Sequence, residues 1–400
     1  MPDNFGVGVT TPIPKYKGNK KNLTADDFRG ITICPVISRV FEHCILKNLE
    51  KLQTSIRQFG FKKKVSCNNA LHMIRKVINY YNTRKTTINI GAIDLKKAFD
   101  KVNLFGVLCM LQEKGIDVTI LNILENWFAK NVTTIKWNGV RSQQVPLLSG
   151  VKQGGILSPL LFALFVDVVL SKLERSGLGC YISYKCYNSF MYADDLILVS
   201  STVTDLQFLF NRCSEILTSL DLPINTDKCS CLRVGPRCDI VCSTLKLQGM
   251  NVQWVDSIKY FGVTICRAKA FKCNWDESKK KFYCSANVIF GRLGTSASPA
   301  VCLKLIHLQG VKNLLYGIAA TSFTGCELKS FSHAYDSMYC KIFRTFDSNI
   351  ISQCQYYSGF LNFTILYELQ RYIFLLNLLS NSIIDERAEL DRNDYRIFVL

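Results

Sequence analysis

Two adjacent acids, Asp194 and Asp195, lie inside an apolar run from Ser189 to Val199. Phe190, Met191 and Tyr192 precede them, and Leu196, Ile197, Leu198 and Val199 follow. The flanks predict two short strands, which leaves two carboxylates between β-type segments. Such a pair is costly unless a cation neutralises it, and a divalent metal is the obvious candidate. About a hundred positions earlier, Ala92-Ile93-Asp94-Leu95-Lys96-Lys97-Ala98-Phe99-Asp100 places another acid at the end of a strand-like run. Carboxylates from two strand ends can share a pair of Mg²⁺ ions, the arrangement used in nucleotidyl transfer.

The 400 residues are 48% apolar, enough for a large core divided into two or three lobes. The formal charge is +18. From Met1 to Lys85 there are 16 Lys/Arg against 5 Asp/Glu, so a net +11 falls in the first fifth of the chain. Clusters such as Lys15/Lys17/Lys20/Lys21 and Lys62-Lys63-Lys64 suit a polyanion, and nucleic acid is the usual one. A solvated surface is the plainer alternative. The 18 cysteines are scattered through apolar segments, as at Cys109 and Cys213, behind a polar start without a secretory leader. They read as reduced core residues of an intracellular protein. Cys229/Cys231 and Cys238/Cys242 lack histidines at a familiar zinc spacing. The longest apolar helix expected, Pro159 to Leu173, is interrupted by Asp167 and too short to span a bilayer, so no membrane association is expected.

Periodicity predicts helices over 37–52, 69–81, from 104 to a stop at Gly115, 117–129 and 204–220. Ile88 to Asp94 and Cys229 to Val234 read as strands. Asn138-Gly139 predicts a type I′ hairpin within 133–145. Ser149 to Gly155 is a glycine-rich loop, and Ser158-Pro159 opens the apolar helix, with Ser158 expected as N-cap and Pro159 at the first helical position. Lys259 to Ile265 reads as a turn plus strand, and the chain beyond Cys266 as mainly helical. The expected fold class is α+β, with a catalytic core and a separate helical lobe.

Each motif alone has an ordinary explanation: Asp94 and Asp100 as cap or turn residues, Asp194-Asp195 as a solvated hairpin tip, the glycine loop as a helix entry. Their order and local context are harder to explain that way. Asp94 to Asp100, Ser149 to Phe162 and Tyr192 to Asp195 together resemble motifs A, B and C of the reverse transcriptase family. Thr11 to Lys15, Asp27 to Ile31 and Phe59 to Ala70 resemble its finger segments. Leu222 to Lys228 resembles motif D, Tyr260 to Val263 the primer grip, and Leu315-Tyr316-Gly317 a thumb element. The wording is most similar to non-LTR (LINE-type) retrotransposons over about residues 11–320.

The resemblance implies a right-hand polymerase: fingers over 1–86, a palm with antiparallel sheet over 87–265, and a helical thumb with its extension over 266–400. It implies an RNA-directed DNA polymerase with two Mg²⁺ ions, Mn²⁺ being an alternative, held by Asp94 and Asp194 with Asp195 and the Leu95 carbonyl. Lys15 and Arg29 would clamp the triphosphate, and Lys228 would meet the leaving pyrophosphate. Gln153 and Gly154 would line the nucleotide pocket, and Phe99 would exclude a 2′-hydroxyl. Expected partners are an RNA template, a DNA primer and deoxynucleotides, in the nucleus or cytoplasm. Such elements carry an endonuclease before this region and often a Cys/His knuckle after it; neither is legible here, so a fragment of a longer reading frame, or a decayed copy, is expected. The alternatives are a catalytically idle RNA-binding remnant with a maturase-like role and a non-templated nucleotidyltransferase.

Overall fold

The computed structural model describes residues 5–15, 23–294 and 297–380. Lys17, Lys20 and Lys21 of the first basic cluster, and the C-terminal Phe398-Val399-Leu400, lie outside the described residues. The chain forms two compact units. The first comprises residues up to Phe61, Ile88–Cys231 and Val241–Trp254; the second comprises Lys62–Thr87, Leu232–Ile240 and the chain from Val255.

The first unit is α+β. Ile88–Ile93 pairs antiparallel with Asp195–Ser200, which pairs antiparallel with Ser189–Tyr192 at the end of a six-stranded sheet. The central strands are apolar on both faces, and Ile90, Ile197 and Leu198 are fully buried. The helix Ser158–Glu174 is buried nearly all round, and Phe162, Leu164, Val166 and Val169 are inaccessible to solvent. The helix Val203–Ser219 adds Leu206, Leu209, Phe210 and Cys213 to the same core. A second sheet joins Val7–Pro14, Phe28–Ile33 and Val132–Trp137. Its hairpin turns at Asn138 and Gly139 with φ of +46° and +83°, the positive pair that a type I′ turn demands.

The predicted helices at 104–115, 117–129 and 204–220 are Leu104–Glu113, Val118–Ala129 and Val203–Ser219. Ser158 departs from expectation. It is the first helical residue rather than the N-cap, and Leu157 precedes it without a capping side chain. The N–H groups of Ile156 and Leu157 instead donate to the buried carboxylate of Glu42, at 2.9 Å for Leu157. An ionisable side chain from another helix thus fixes the chain just ahead of the first turn, without capping the turn itself.

The second unit holds the helix Cys67–Thr83, a three-stranded sheet and helices from Asp276 to Ser380. Lys272–Asn274 is a third strand on Val263–Cys266, inside a region that periodicity reads as helical. Its core is aromatic: Phe323 stacks on Tyr367 at 4.7 Å, and Phe331 on Phe363 at 5.3 Å. Tyr316 donates to the Phe261 carbonyl at 2.8 Å, so Leu315-Tyr316-Gly317 packs on the Tyr260–Val263 turn. No helix among the described residues is long and apolar enough to cross a membrane.

Candidate active site

Strand register assembles the site. Ile93 lies opposite Leu196 and Tyr192 opposite Asp195, so Asp94, Asp194 and Asp195 meet at one end of three adjacent strands. Ala193 and Asp194 form the two-residue connection. Ala193 has φ of +56°, a left-handed conformation that a residue with a Cβ adopts at a cost.

The acids burden one another. Burial pushes the Asp194 carboxyl above its usual range and Asp94 adds to this, while Arg29 and a backbone hydrogen bond pull the other way. Asp195 is pushed up to about 6, first by burial and then by Asp194 and Asp94. Asp195 keeps an exposed surface, so solvent screens part of that repulsion. Among the described residues no three His, Cys, Asp or Glu side chains are gathered tightly enough to grip an ion by themselves. The donor chemistry nonetheless fits a hard divalent cation, because carboxylate oxygens that repel one another gain from a shared positive charge, while the nearby Cys229 thiol is kept protonated by burial.

Asp94 is already engaged. Asn225 Nδ2 donates to its Oδ2 at 2.9 Å, and the Asn225 N–H donates to its carbonyl at 2.8 Å. Lys228 Nζ stands 3.8 Å from the same Oδ2. Leu95 bridges antiparallel to Ile224, through bonds made by the flanking residues rather than by the Leu95 carbonyl.

The motif-B loop is fastened to motif A. Gly150 N donates to the Val102 carbonyl at 2.8 Å, Val151 N to that of Phe99 at 2.9 Å, and Gln153 Nε2 to Asp100 Oδ1 at 3.1 Å. Thr32 N donates to the Gln153 carbonyl at 2.8 Å. Gly154 has φ of +123°, and a Cβ there would fall on the Thr32 carbonyl oxygen, so only glycine allows this approach. Phe99 stacks on Phe162 with ring centres 4.1 Å apart and meets the edge of Phe61 at 6.0 Å. Its ring is therefore held on two sides and only half buried.

Of the residues singled out in the sequence, Asp94, Leu95, Asp194, Asp195 and Lys228 are drawn together, with Arg29 close enough to act on Asp194. Lys15 is exposed, and its Nζ donates to the Asp26 carbonyl at 2.7 Å. Asp26 also pairs with Lys97. Periodicity and spacing missed Asn225, Glu42 and Gln58. Only Asn225 left a signal, as the polar residue three places before Lys228.

Acids on adjacent strand ends, Arg29 within electrostatic reach of them and a glycine loop docked on the strand Phe28–Ile33 are set on a polymerase-type α+β fold. The family described as reverse transcriptase (RNA-dependent DNA polymerase) matches residues 13–265, and the chain belongs to it. The Pol polyprotein of the type-2 retrotransposable element R2DM of Drosophila melanogaster is 26% identical over 283 residues, covering 68% of this chain and 26% of that protein. That of the element R2 of Popillia japonica is 30% identical over 203 residues, covering 50% and 28%. The probable RNA-directed DNA polymerase of the Drosophila melanogaster transposon BS is 24% identical over 341 residues, covering 77% and 35%. The chain thus spans about a quarter to a third of the length of these relatives. The structure of apo telomerase from Candida tropicalis shares the fold at TM-score 0.50 and 12% identity, over 93% of this chain and 63% of that one.

Proposed function

We propose that this chain is an RNA-directed DNA polymerase of a non-LTR retrotransposon, extending a DNA primer on an RNA template with deoxynucleotides. The observation that carries this reading is the meeting of Asp94, Asp194 and Asp195 at adjacent strand ends, with Arg29 in electrostatic reach. In this reading residues 1–86 are fingers, 87–265 palm and 266–400 thumb with its extension. Asp94, Asp194 and Asp195, with the Leu95 carbonyl, would hold two Mg²⁺ ions or Mn²⁺ in their place. Bound there, the ions supply activation of the primer 3′-hydroxyl and neutralisation of the triphosphate.

The protein's own groups do the rest. Arg29 and Lys15 bind the triphosphate, and Lys228 meets the leaving pyrophosphate. Gln153 and Gly154 shape the nucleotide pocket. Phe99, held by Phe162 and Phe61, presents a ring edge that excludes a 2′-hydroxyl. The endonuclease acts from another part of a longer polypeptide or in trans, and the work is done in the nucleus or cytoplasm.

The competing reading is an idle RNA-binding remnant, in which Asn225 and Lys228 are the lasting partners of Asp94 Oδ2. Primer extension on an RNA template with deoxynucleotides and Mg²⁺, beside Asp194→Asn, separates the two. Extension that the variant loses supports the polymerase. A folded chain that binds RNA and extends nothing supports the remnant.

A further inference from the structure

The turn that carries Asp194 is held from outside its own hairpin. The segment Ser55 to Phe61 runs along the outer edge of Ser189–Tyr192, with Met191 N donating to the Arg57 carbonyl at 3.0 Å and Phe59 N to the Met191 carbonyl at 2.8 Å. Three contacts anchor this strap. Asp167 accepts from Ser55 N at 2.8 Å, while Arg57 donates to Glu174 at 2.7 Å and to Asn188 at 3.2 Å. At its end, a Cβ on Gly60 would fall on the backbone nitrogen of Ala193, so the strap touches the turn directly.

Gln58 sits between them and is wholly inaccessible to solvent. Its Oε1 accepts from Gly60 N at 3.0 Å and from Ala193 N at 3.3 Å. Both donors are backbone N–H groups, so the amide orientation is determined and Nε2 points the other way. That Nε2 is buried without a hydrogen-bond partner among the described residues. A buried donor left without a partner is destabilising, and a methionine of similar shape would avoid it. A methionine, however, would leave the Ala193 N–H without its acceptor, on a residue already held at φ of +56°.

We propose that Gln58 is a positioning residue for the polymerase reaction, tying the left-handed Ala193 to the strap so that the Asp194 carboxylate is preset. This rests on the polymerase reading above. Gln58 touches no reacting atom; it acts through the turn.

The test is Gln58→Met, read by amide hydrogen exchange and by single-nucleotide extension. Exchange should quicken in a peptide covering 190–197 and stay unchanged in one covering the helix 203–219. kcat should fall roughly ten- to hundredfold, as a small misplacement of reacting groups does, with KM for primer-template unchanged. Adding Ala193→Gly, which takes positive φ without the Cβ penalty, should recover most of kcat. Unchanged exchange at 190–197 would overturn the proposal. So would loss of protection throughout the unit, or failure to fold, because Gln58 would then be an ordinary core residue. An absent rescue by Ala193→Gly would overturn it too. A wild-type chain that extends nothing would sink the polymerase reading, while the exchange comparison still reports on the turn.

Discussion

The two units bury polar side chains for different ends. In the first, Glu42, Gln58, Arg57 and Asp167 reach across to the backbone of a distant segment or to anchors of the strap: a helix entry, the acid-bearing turn, a strand edge. In the second, polar groups complete an aromatic core. His307 stacks on Phe360 at 3.6 Å and lies 3.1 Å from the Tyr335 hydroxyl, and Tyr367 donates to the Thr321 carbonyl at 2.9 Å. A buried polar group that positions a loop should show in activity, whereas one that fills a core should show in stability.

The sharpest break would come from Asp194→Asn. Extension should drop roughly a thousandfold or more, about 4 kcal/mol of barrier, with thermal stability held or raised because a repelling buried charge is gone. Loss of activity together with a collapsed melting temperature would dissolve the distinction between site and scaffold.

Phe99→Ala comes next. Discrimination between deoxy- and ribonucleotides, measured as the ratio of kcat/KM, should relax roughly ten- to hundredfold. An unchanged ratio removes Phe99 from the pocket and leaves it a core aromatic against Phe162.

Glu42→Ala should lower stability by about 1–3 kcal/mol in urea, because the N–H groups of Ile156 and Leu157 lose their acceptor. Extension should fall with it through the displaced motif-B loop, and Glu42→Gln should restore part of both. A stability loss with normal extension would place Glu42 with the core-filling residues of the second unit.

The last test is a pH slope. Burial, reinforced by Arg75, Lys76 and Arg371, pushes His72 down to about 3, and burial pushes His307 down to about 4. Both stay neutral in the folded chain while their unfolded counterparts take up protons below the ordinary histidine value of about 6.5. The second unit should therefore lose stability steadily as pH falls from about 6.5 towards 3. His72→Leu should flatten the slope of melting temperature against pH. An unaltered slope would mean that His72 is not the group refusing the proton.

Much of this was legible in the residues. Helix periods at 104–113 and 203–219, the Asn138-Gly139 turn and the acid-bearing hairpin depend on neighbours within a few positions, and they are where the pattern puts them. The order of the motifs was enough to bring Asp94 and Asp194 together and to set Gln153 against Asp100. The strand Lys272–Asn274 was not legible, because three residues carry no period and become a strand only by pairing with Val263–Cys266. Ser158 misled for a related reason. A serine before a proline offers a local cap, but the chain turns helical one residue earlier, with Leu157 at the cap position and Glu42 of another helix holding the N–H groups there.

By itself, then, the sequence determined the family, the α+β class and which acids stand together at the strand ends, since those follow from spacing along the chain. Tertiary structure alone decided what holds them. Glu42 meets Leu157 across 115 positions, Asn225 meets Asp94 across 131, and Gln58 meets Ala193 across 135. A hydrogen bond between residues so far apart leaves no periodic trace. It exists only because packed strands and helices bring one donor and one acceptor within 3.3 Å or less.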